Sequence, residues 1–239
     1  MLTAPYSPWK ELSVGAKETW LKKIDYESHY FFQYMGEQLP FKSNYLVNGL
    51  LRSTKFKYFW SKNHTVEENV ELVTSNTIKV DVPERWDTML TKFLSSVSYI
   101  NSVIDYDYLI KINTTTWINL DKLQLYLEAK KPLCAGVIEK NKTFPAGWAS
   151  VFSRALLENM LNSILRFPLN ESGYDDELVG QILERFEIYP DRMTYAKYPN
   201  SPIEELIQVP FIRIKSENGR ITNDLRRFHE VDELLKNRK

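Results

Sequence analysis

Polar and apolar residues follow a strand pattern in the middle of the chain, at residues 105–119 (DYDYLIKINTTTWIN). Large apolar residues recur there at every second position, at Tyr106, Tyr108, Ile110 and Ile112, which predicts a β-strand. Polar residues 113–116 follow before Trp117 resumes apolar character. In open α/β sheets the end of a buried strand commonly faces a ligand site. We predict that residues 113–116 face such a site; the alternative is an ordinary solvated turn.

Apolar residues spaced by three or four positions predict helices before and after this strand. They cover residues 10–24, 86–104, 120–131, 153–165 and 175–186. Short apolar runs predict further strands at 29–35, 77–82, 134–138 and 207–214, and Pro210 restricts the last to a sheet edge or a bulge. Helices alternating with strands are typical of an α/β fold, and we predict one domain with a central, mostly parallel sheet flanked by helices.

Composition narrows the classes of partner. Thirty-one basic residues balance thirty-one acidic residues, so no charge surplus favours nucleic acid. No apolar run approaches the ~20 residues that span a bilayer, and the first residues lack the basic-then-apolar order of a signal peptide. The single cysteine, Cys134, excludes an internal disulfide and suits a reducing compartment. We therefore expect a soluble, cytoplasmic protein with no membrane span and no nucleic-acid partner.

A turn at Pro145 and Gly147 precedes the helix predicted at 153–165. Glycine lets a backbone come close to a ligand, especially just before a helix. Trp148 follows directly, and its ring would suit a sugar or a base; the alternative is packing in the core beside the turn.

Three acids open the helix predicted at 175–186: Asp175, Asp176 and Glu177. Acidic residues favour the first turn of a helix because of its dipole, which explains at least two of them without a function. A fixed, ionised carboxylate is also what a base that deprotonates a hydroxyl requires, although the dipole weakens it as a base. Both interpretations remain open from the residues alone.

Basic residues have ordinary explanations as well. Lys92 lies off the apolar stripe of its helix, and spacing favours a solvated lysine. The charged segment 216–239 groups Arg220, Arg226, Arg227 and His229. It predicts a surface helix, whose arginines could also reach over a phosphate.

Four segments, taken in order, resemble the inverting β-1,3-glycosyltransferases and fringe enzymes of glycosyltransferase family 31, which have the Rossmann-like GT-A fold. The segments are 17–20 followed by Phe31, Phe32 and Gly36; Asp81 with Lys92; 107–111 followed by 119–121; and Gly147, Ser153 and Arg154 followed by Asp175, Asp176, Val179 and Gly180. The first segment resembles the family's opening helix and strand, and the second its aspartate and lysine before the donor site. The third resembles the strand that leads into the metal-binding aspartates, and the fourth the acceptor-side glycine together with the acidic motif. The resemblance spans about residues 17–180.

The resemblance implies a function and a division of one domain, 1–239. A nucleotide-sugar half would cover about 1–118, an acceptor half about 119–215, and a charged tail 216–239. The implied reaction is transfer of a hexose or N-acetylhexosamine from a UDP-sugar to a glycan hydroxyl with inversion. It assigns the base to Asp176, with Asp175 in reserve. The donor would be bound by Asn113, Thr114, Thr115 and Lys92, and the acceptor by Gly147 and Trp148.

The chain departs from the family at the metal site. Asn113, Thr114 and Thr115 stand where the family has aspartates, whose cation bridges the donor's two phosphates. Neutral amides and hydroxyls would hold Mn²⁺ or Mg²⁺ weakly, so we assign no metal ligand. In one outcome the enzyme is metal-independent, and Lys92 or the pair Arg226 and Arg227 neutralises the leaving diphosphate. In the other, catalysis is lost and the fold remains as a carbohydrate-binding or scaffolding module.

Overall fold

The computed structural model describes residues 1, 9–24, 30–37, 70–74, 77–83, 88–164 and 174–236. Within these ranges the chain is a mixed α/β protein. Its helices are α1 Trp9–Glu18, α2 Met89–Val103, α3 Leu120–Lys130, α4 Arg154–Ile164, α5 Asp175–Arg185, α6 Ile203–Leu206 and α7 Arg220–Lys236, with a 3₁₀ turn at Trp20–Lys23. Its strands are β1 Gln33–Glu37, β2 Val70–Thr74, β3 Thr77–Pro83, β4 Tyr108–Ile112, β5 Thr116–Ile118, β6 Cys134–Gly136, β7 Ala149–Ser153, β8 Asp191–Arg192, β9 Tyr195–Lys197 and β10 Phe211–Arg213.

The long periodic segments form the helices that their spacing predicts. Asn119 begins α3 by accepting a hydrogen bond from the Lys122 backbone N–H (3.4 Å), and Ser153 begins α4 by accepting one from Leu156 (3.3 Å), as N-cap side chains do. Strands β2, β5, β7, β8 and β9 and the short helix α6 were not predicted. The predicted positions 29, 86–87, 165 and 237–239 lie outside the described residues.

The strands form three small mixed sheets, in the orders β1-β3-β2, β5-β10-β9 and β4-β7-β6-β8. Antiparallel pairs join β2 to β3, β4 to β7, β6 to β7 and β5 to β10, while β1–β3, β6–β8 and β9–β10 are parallel. The prediction of a mostly parallel sheet is therefore wrong. The chain leaves β6 and returns along β7 without a crossover helix, which requires antiparallel pairing.

Strand β10 lies between β5 and β9, so the edge or bulge expected from Pro210 is also wrong. Pro210 precedes the strand and accepts a hydrogen bond from the Asn119 N–H through its carbonyl oxygen (2.9 Å). Because Pro210 lies outside the hydrogen-bonded ladder of β10, its missing N–H removes no ladder bond, and β10 can be a central strand.

Helix α2 is buried on more than one side, because it contacts sheet β1-β3-β2 and helices α4 and α5. Its buried residues include Leu90, Lys92, Phe93, Leu94, Ser95, Ser96 and Val97. Lys92 is 0% exposed, and its interpretation as a solvated lysine is wrong. Cys134 is buried, and burial raises the pKa of its thiol to about 12.

Helix α7 lies against α1 and confirms the helix predicted in the charged segment. Phe228 and Val231 of α7 are fully buried, and a side chain on Gly15 of α1 would meet the Phe228 ring at 2.4 Å. Asp232 pairs with Lys23 (2.5 Å) and Lys236 (2.6 Å). Across the described part of the chain, none of the helices is both long and apolar enough to cross a membrane.

Candidate functional site

The bend after β4 is organised by the side chain of Asn113. Its Oδ1 accepts hydrogen bonds from the Thr115 N–H (3.0 Å), the Thr115 hydroxyl (2.9 Å) and Arg213 Nη1 (3.0 Å), and the Thr116 hydroxyl oxygen lies 3.2 Å away. Asparagine commonly bonds the backbone two residues ahead in this way. Because an amide oxygen has only two lone pairs, Asn113 Oδ1 has no free capacity for a cation.

Lys111 and Gly147 connect the bend region with helix α5. Lys111 Nζ lies 2.6 Å from Asp175 Oδ2 and donates to the Gly147 carbonyl at 3.2 Å. The Gly147 N–H donates to Asp176 Oδ2 at 3.3 Å, and a Cβ at Gly147 would stand 3.1 Å from Lys111 Nζ. The close approach therefore favours glycine here.

The bend also contacts the turn directly, since the Thr116 hydroxyl donates to the Trp148 carbonyl at 2.8 Å. Together with the Lys111 and Gly147 contacts, this bond places the bend, the turn and the start of α5 in one hydrogen-bonded cluster. Residues 113–116, 147–148 and 175–176 were proposed from sequence as parts of one site, and the fold brings these three segments together.

The two aspartates of α5 differ in environment. Asp175 is 5% exposed and pairs with Lys111. Asp176 is half-buried and accepts hydrogen bonds from two backbone N–H groups, those of Gly147 and Glu177. Burial, followed by the charge of Asp175, raises the pKa of Asp176 above the usual aspartate value, against the opposing effect of these bonds and of Lys111.

Trp148 is buried, and contacts surround its ring. The Arg213 guanidinium lies 4.8 Å from the ring centroid, and Tyr195 packs edge-on at 5.3 Å. The indole Nε1 donates to Glu139 Oε1 at 3.3 Å. These contacts support the core-packing alternative for Trp148, and contact with an acceptor stays a prediction.

Sequence reasoning missed Arg213 of β10. It is half-buried, bonds Asn113 and stacks on Trp148. Burial, followed by the charge of Arg220, lowers its pKa to about 10. The available signal was a charged residue inside the apolar run FIRI. Of the cations proposed from sequence, Lys92 is buried within α2 and Arg226 pairs with Glu230 on its own helix (3.5 Å), whereas Arg227 Nη1 donates to the carbonyl of Ile214, the residue after Arg213 (3.1 Å).

A cavity of about 870 Å³ lies beside β4 and α2. Its lining includes Phe31, Tyr34, Tyr106, Tyr108 and Lys111. The volume is within the range of roughly 300–1,000 Å³ typical of small-molecule sites. Lys111 lines this cavity and also pairs with Asp175, so it stands between the cavity and the acids.

The metal expected from the family does not fit these residues. Asn113 Oδ1 is fully occupied, and the threonines contribute only neutral hydroxyls. Hard divalent cations prefer carboxylates, carbonyls and water. Within the described ranges, no three His, Cys, Asp or Glu side chains are grouped as a metal site requires.

The cluster offers two kinds of chemistry. The Asp176 carboxylate can accept a proton, and the Arg213 guanidinium can bind an anion next to the polar bend.

Comparison of the chain with known proteins finds no matching family model and no matching curated protein.

Proposed function

We propose that this protein is a GT-A-like glycosyltransferase that moves a hexose or N-acetylhexosamine from a UDP-sugar to a glycan hydroxyl with inversion, without a metal ion. One observation carries the proposal. Asp176 is a half-buried carboxylate with no ion-pair partner among the described residues, next to Gly147 and in the same cluster as the polar bend. The family resemblance assigns the base to this residue, and its environment suits that task.

The contacts favour Asp176 over Asp175 as the base. Asp175 forms a buried ion pair with Lys111, and giving up that pair to accept a proton is unfavourable. Asp176 keeps a more exposed carboxylate, and its raised pKa offsets the weakening effect of the helix dipole. A base whose pKa lies closer to the working pH removes a proton more effectively.

The chemical step then needs no covalent intermediate. Asp176 takes the proton of the acceptor hydroxyl while the hydroxyl oxygen attacks the anomeric carbon of the donor. The bond from that carbon to the diphosphate oxygen breaks, and UDP leaves with the electron pair from the opposite face, which inverts the configuration. The Thr114 hydroxyl is buried and has no hydrogen-bond partner within the described residues, so a donor oxygen could bond it only if the bend opened.

A second candidate is a carbohydrate-binding or scaffolding module without turnover. The occupied amide of Asn113 and the buried Trp148 favour the scaffolding form of this alternative, because neither group is free to hold a sugar in this conformation. Thermal stabilisation by a glycan, with no UDP release from any donor, would support this alternative.

The direct test measures UDP release from a panel of UDP-sugars with glycan acceptors, in EDTA and with added Mn²⁺. We expect release that EDTA does not abolish. Replacing a general base should slow the reaction by about 10²–10⁴-fold, so Asp176→Asn should lose transfer while its melting temperature stays near that of the unmodified protein. Asp121→Asn, which removes another first-turn acid, in α3, is the matched control and should keep full transfer. Undiminished transfer by Asp176→Asn would refute the assignment.

A further inference from the structure

Two basic residues lie along the bend: Arg213 at the end of β10 and Lys215 two residues later. Strand β10 pairs with β5, the strand that follows the bend. Arg213 of β10 is opposite Thr116 of β5, and the pairing continues from the Ile214 N–H to the Thr115 carbonyl (3.1 Å). Ile212 and Ile214 are buried, whereas Arg213 is half-buried and Lys215 exposed. This alternation places Arg213 and Lys215 on the same face, and the Arg213 bond to Asn113 directs that face toward the bend.

A third cation, Arg220 at the start of α7, completes a basic group. The positive charge of Arg220 lowers the pKa of Arg213, after burial, and the charges of Arg213 and Arg220 lower the pKa of Lys215, again after burial. Asp224, which pairs with Arg220 (3.4 Å), also accepts a hydrogen bond from the N–H of Ser216, the residue after Lys215 (2.6 Å), so Arg220 lies beside this end of the strand. We call Arg213, Lys215 and Arg220 the basic cluster.

Two acidic residues, Asp224 and Glu139, favour the charged forms of Arg213 and Lys215 and so balance this cluster in part. Arg220 Nε lies 3.4 Å from Asp224 Oδ2, but Asp224 Oδ1 also accepts hydrogen bonds from the Ser216 N–H and hydroxyl (both 2.6 Å). Neither Arg213 nor Lys215 forms an ion pair within the described part of the chain. Their positive charges therefore remain available to an added anion.

The guanidinium of Arg213 is held in place before any ligand arrives. Trp148 stacks on it at 4.8 Å, and its bond to Asn113 fixes its plane. A planar fork of N–H donors beside a mobile ammonium suits phosphoryl oxygens. The neutral bend next to it adds no carboxylate that would repel an anion.

We propose that the basic cluster binds the diphosphate of a nucleoside diphosphate and supplies the positive charge that a divalent cation would otherwise provide. This inference rests on the proposed function for its choice of ligand. During transfer, the same charges would stabilise the diphosphate as it leaves. The cluster thus replaces both Lys92 and the pair Arg226 and Arg227 as the source of this charge.

The test measures UDP binding by titration calorimetry in EDTA at low salt. Lys215 is exposed and makes no described hydrogen bond, so Lys215→Glu should leave the fold intact. Reversing a charge against a bound anion should weaken UDP binding by about tenfold or more, and Arg220→Gln should weaken it in the same direction. Lys130→Glu, an exposed lysine at the end of α3, is the matched control and should bind UDP as the unmodified protein does.

Further measurements identify the recognised group. Pyrophosphate should compete with UDP, and UMP should bind more weakly than UDP, because the cluster recognises the diphosphate. Unchanged UDP affinity in Lys215→Glu, loss of UDP binding in EDTA, or no binding of either UDP or pyrophosphate would each overturn the inference.

Asp176→Asn separates this inference from the proposed function, because the variant should bind UDP normally while losing transfer. If Lys215→Glu loses UDP affinity but the unmodified protein transfers no sugar, the basic cluster stands and the transferase proposal fails. If transfer occurs and Lys215→Glu keeps full UDP affinity, the transferase stands and the inference fails.

Discussion

Two influences act in opposite directions on the pKa of Asp176: its position at the start of a helix and its burial in the molecule. The start of α5 favours its ionised form through the helix dipole and the Glu177 N–H. Burial and the adjacent Asp175 favour the protonated form, and the net result is a raised pKa. Sequence alone reveals the first effect, because it depends on a helix start, but not the second, which depends on what covers the residue.

This balance predicts the pH dependence of transfer. Asp176 must be deprotonated to act as a base, so kcat/KM should fall as the pH drops through its pKa, which lies above the aspartate value of 3.8. Asp175→Asn removes a charge that raises this pKa and frees Lys111, whose charge lowers it. The acidic limb of the profile should therefore move to lower pH in Asp175→Asn. A limb that does not move, or that moves upward, would contradict the assignment of Asp176 as the base.

Sequence patterns identified polar residues at the candidate site but not the residues that organise them. Asn113, Gly147, Asp175 and Asp176 stand out because each follows or begins a predicted element. Arg213 does not, since its bond to Asn113 joins residues 100 positions apart. A contact between residues so far apart in the chain produces no local pattern of apolar and polar positions.

Strand β4 and helix α5 are joined by the ion pair of Lys111 and Asp175, whose side chains are 2% and 6% exposed. Burying two charges is costly, so such a pair holds elements in register more than it adds to net stability. Removing one partner leaves the other charge buried without compensation.

This geometry predicts a specific pattern of stability. Lys111→Met should lower the free energy of unfolding by about 3–5 kcal/mol, because Asp175 remains buried without its partner. The double variant Lys111→Met, Asp175→Leu removes both charges and should be more stable than Lys111→Met alone. Urea unfolding of the two variants and the unmodified protein measures both differences. A double variant as unstable as Lys111→Met, or less stable than it, would show that the pair is not the cause.

Prediction of elements was most successful where periodicity was long. Helices α2, α3, α4 and α5 follow their apolar spacing. Strand β7 was missed because residues 149–153 (ASVFS) lie between a glycine turn and a helix cap and are too short for a clear alternation. The direction of each strand was not encoded in any apolar run, which is why the parallel arrangement was predicted wrongly.

Two groups of buried apolar residues underlie the part of the molecule that the structure describes. One surrounds α2, α4 and α5, and the other joins β5, β6, β7 and β10 to α7. Helix α7 is 17 residues long and carries eight charged residues, yet it contributes Phe228 and Val231 to the second group. Helix α7 thus contributes both to the core and to the charged surface.

Phe228 should therefore contribute strongly to stability. Its ring is fully buried and lies where a side chain on Gly15 would meet it. Phe228→Ala should lower the free energy of unfolding by about 3–5 kcal/mol because it leaves a cavity between α7 and α1. Ile221→Ala, at a partly exposed position of the same helix, should cost far less. Equal losses in the two variants, measured by thermal or urea unfolding, would contradict this packing.

The sequence by itself determined the mixed α/β character, most helix positions and the polar character of the bend, because these follow from local periodicity, capping and turn chemistry. Only the tertiary structure decided that the bend, the glycine turn and the start of α5 lie together, that Lys92 is buried, and that Arg213 bonds to Asn113. These features depend on contacts between residues far apart in the chain. Such contacts are settled by how the sheets and helices pack and not by any local pattern.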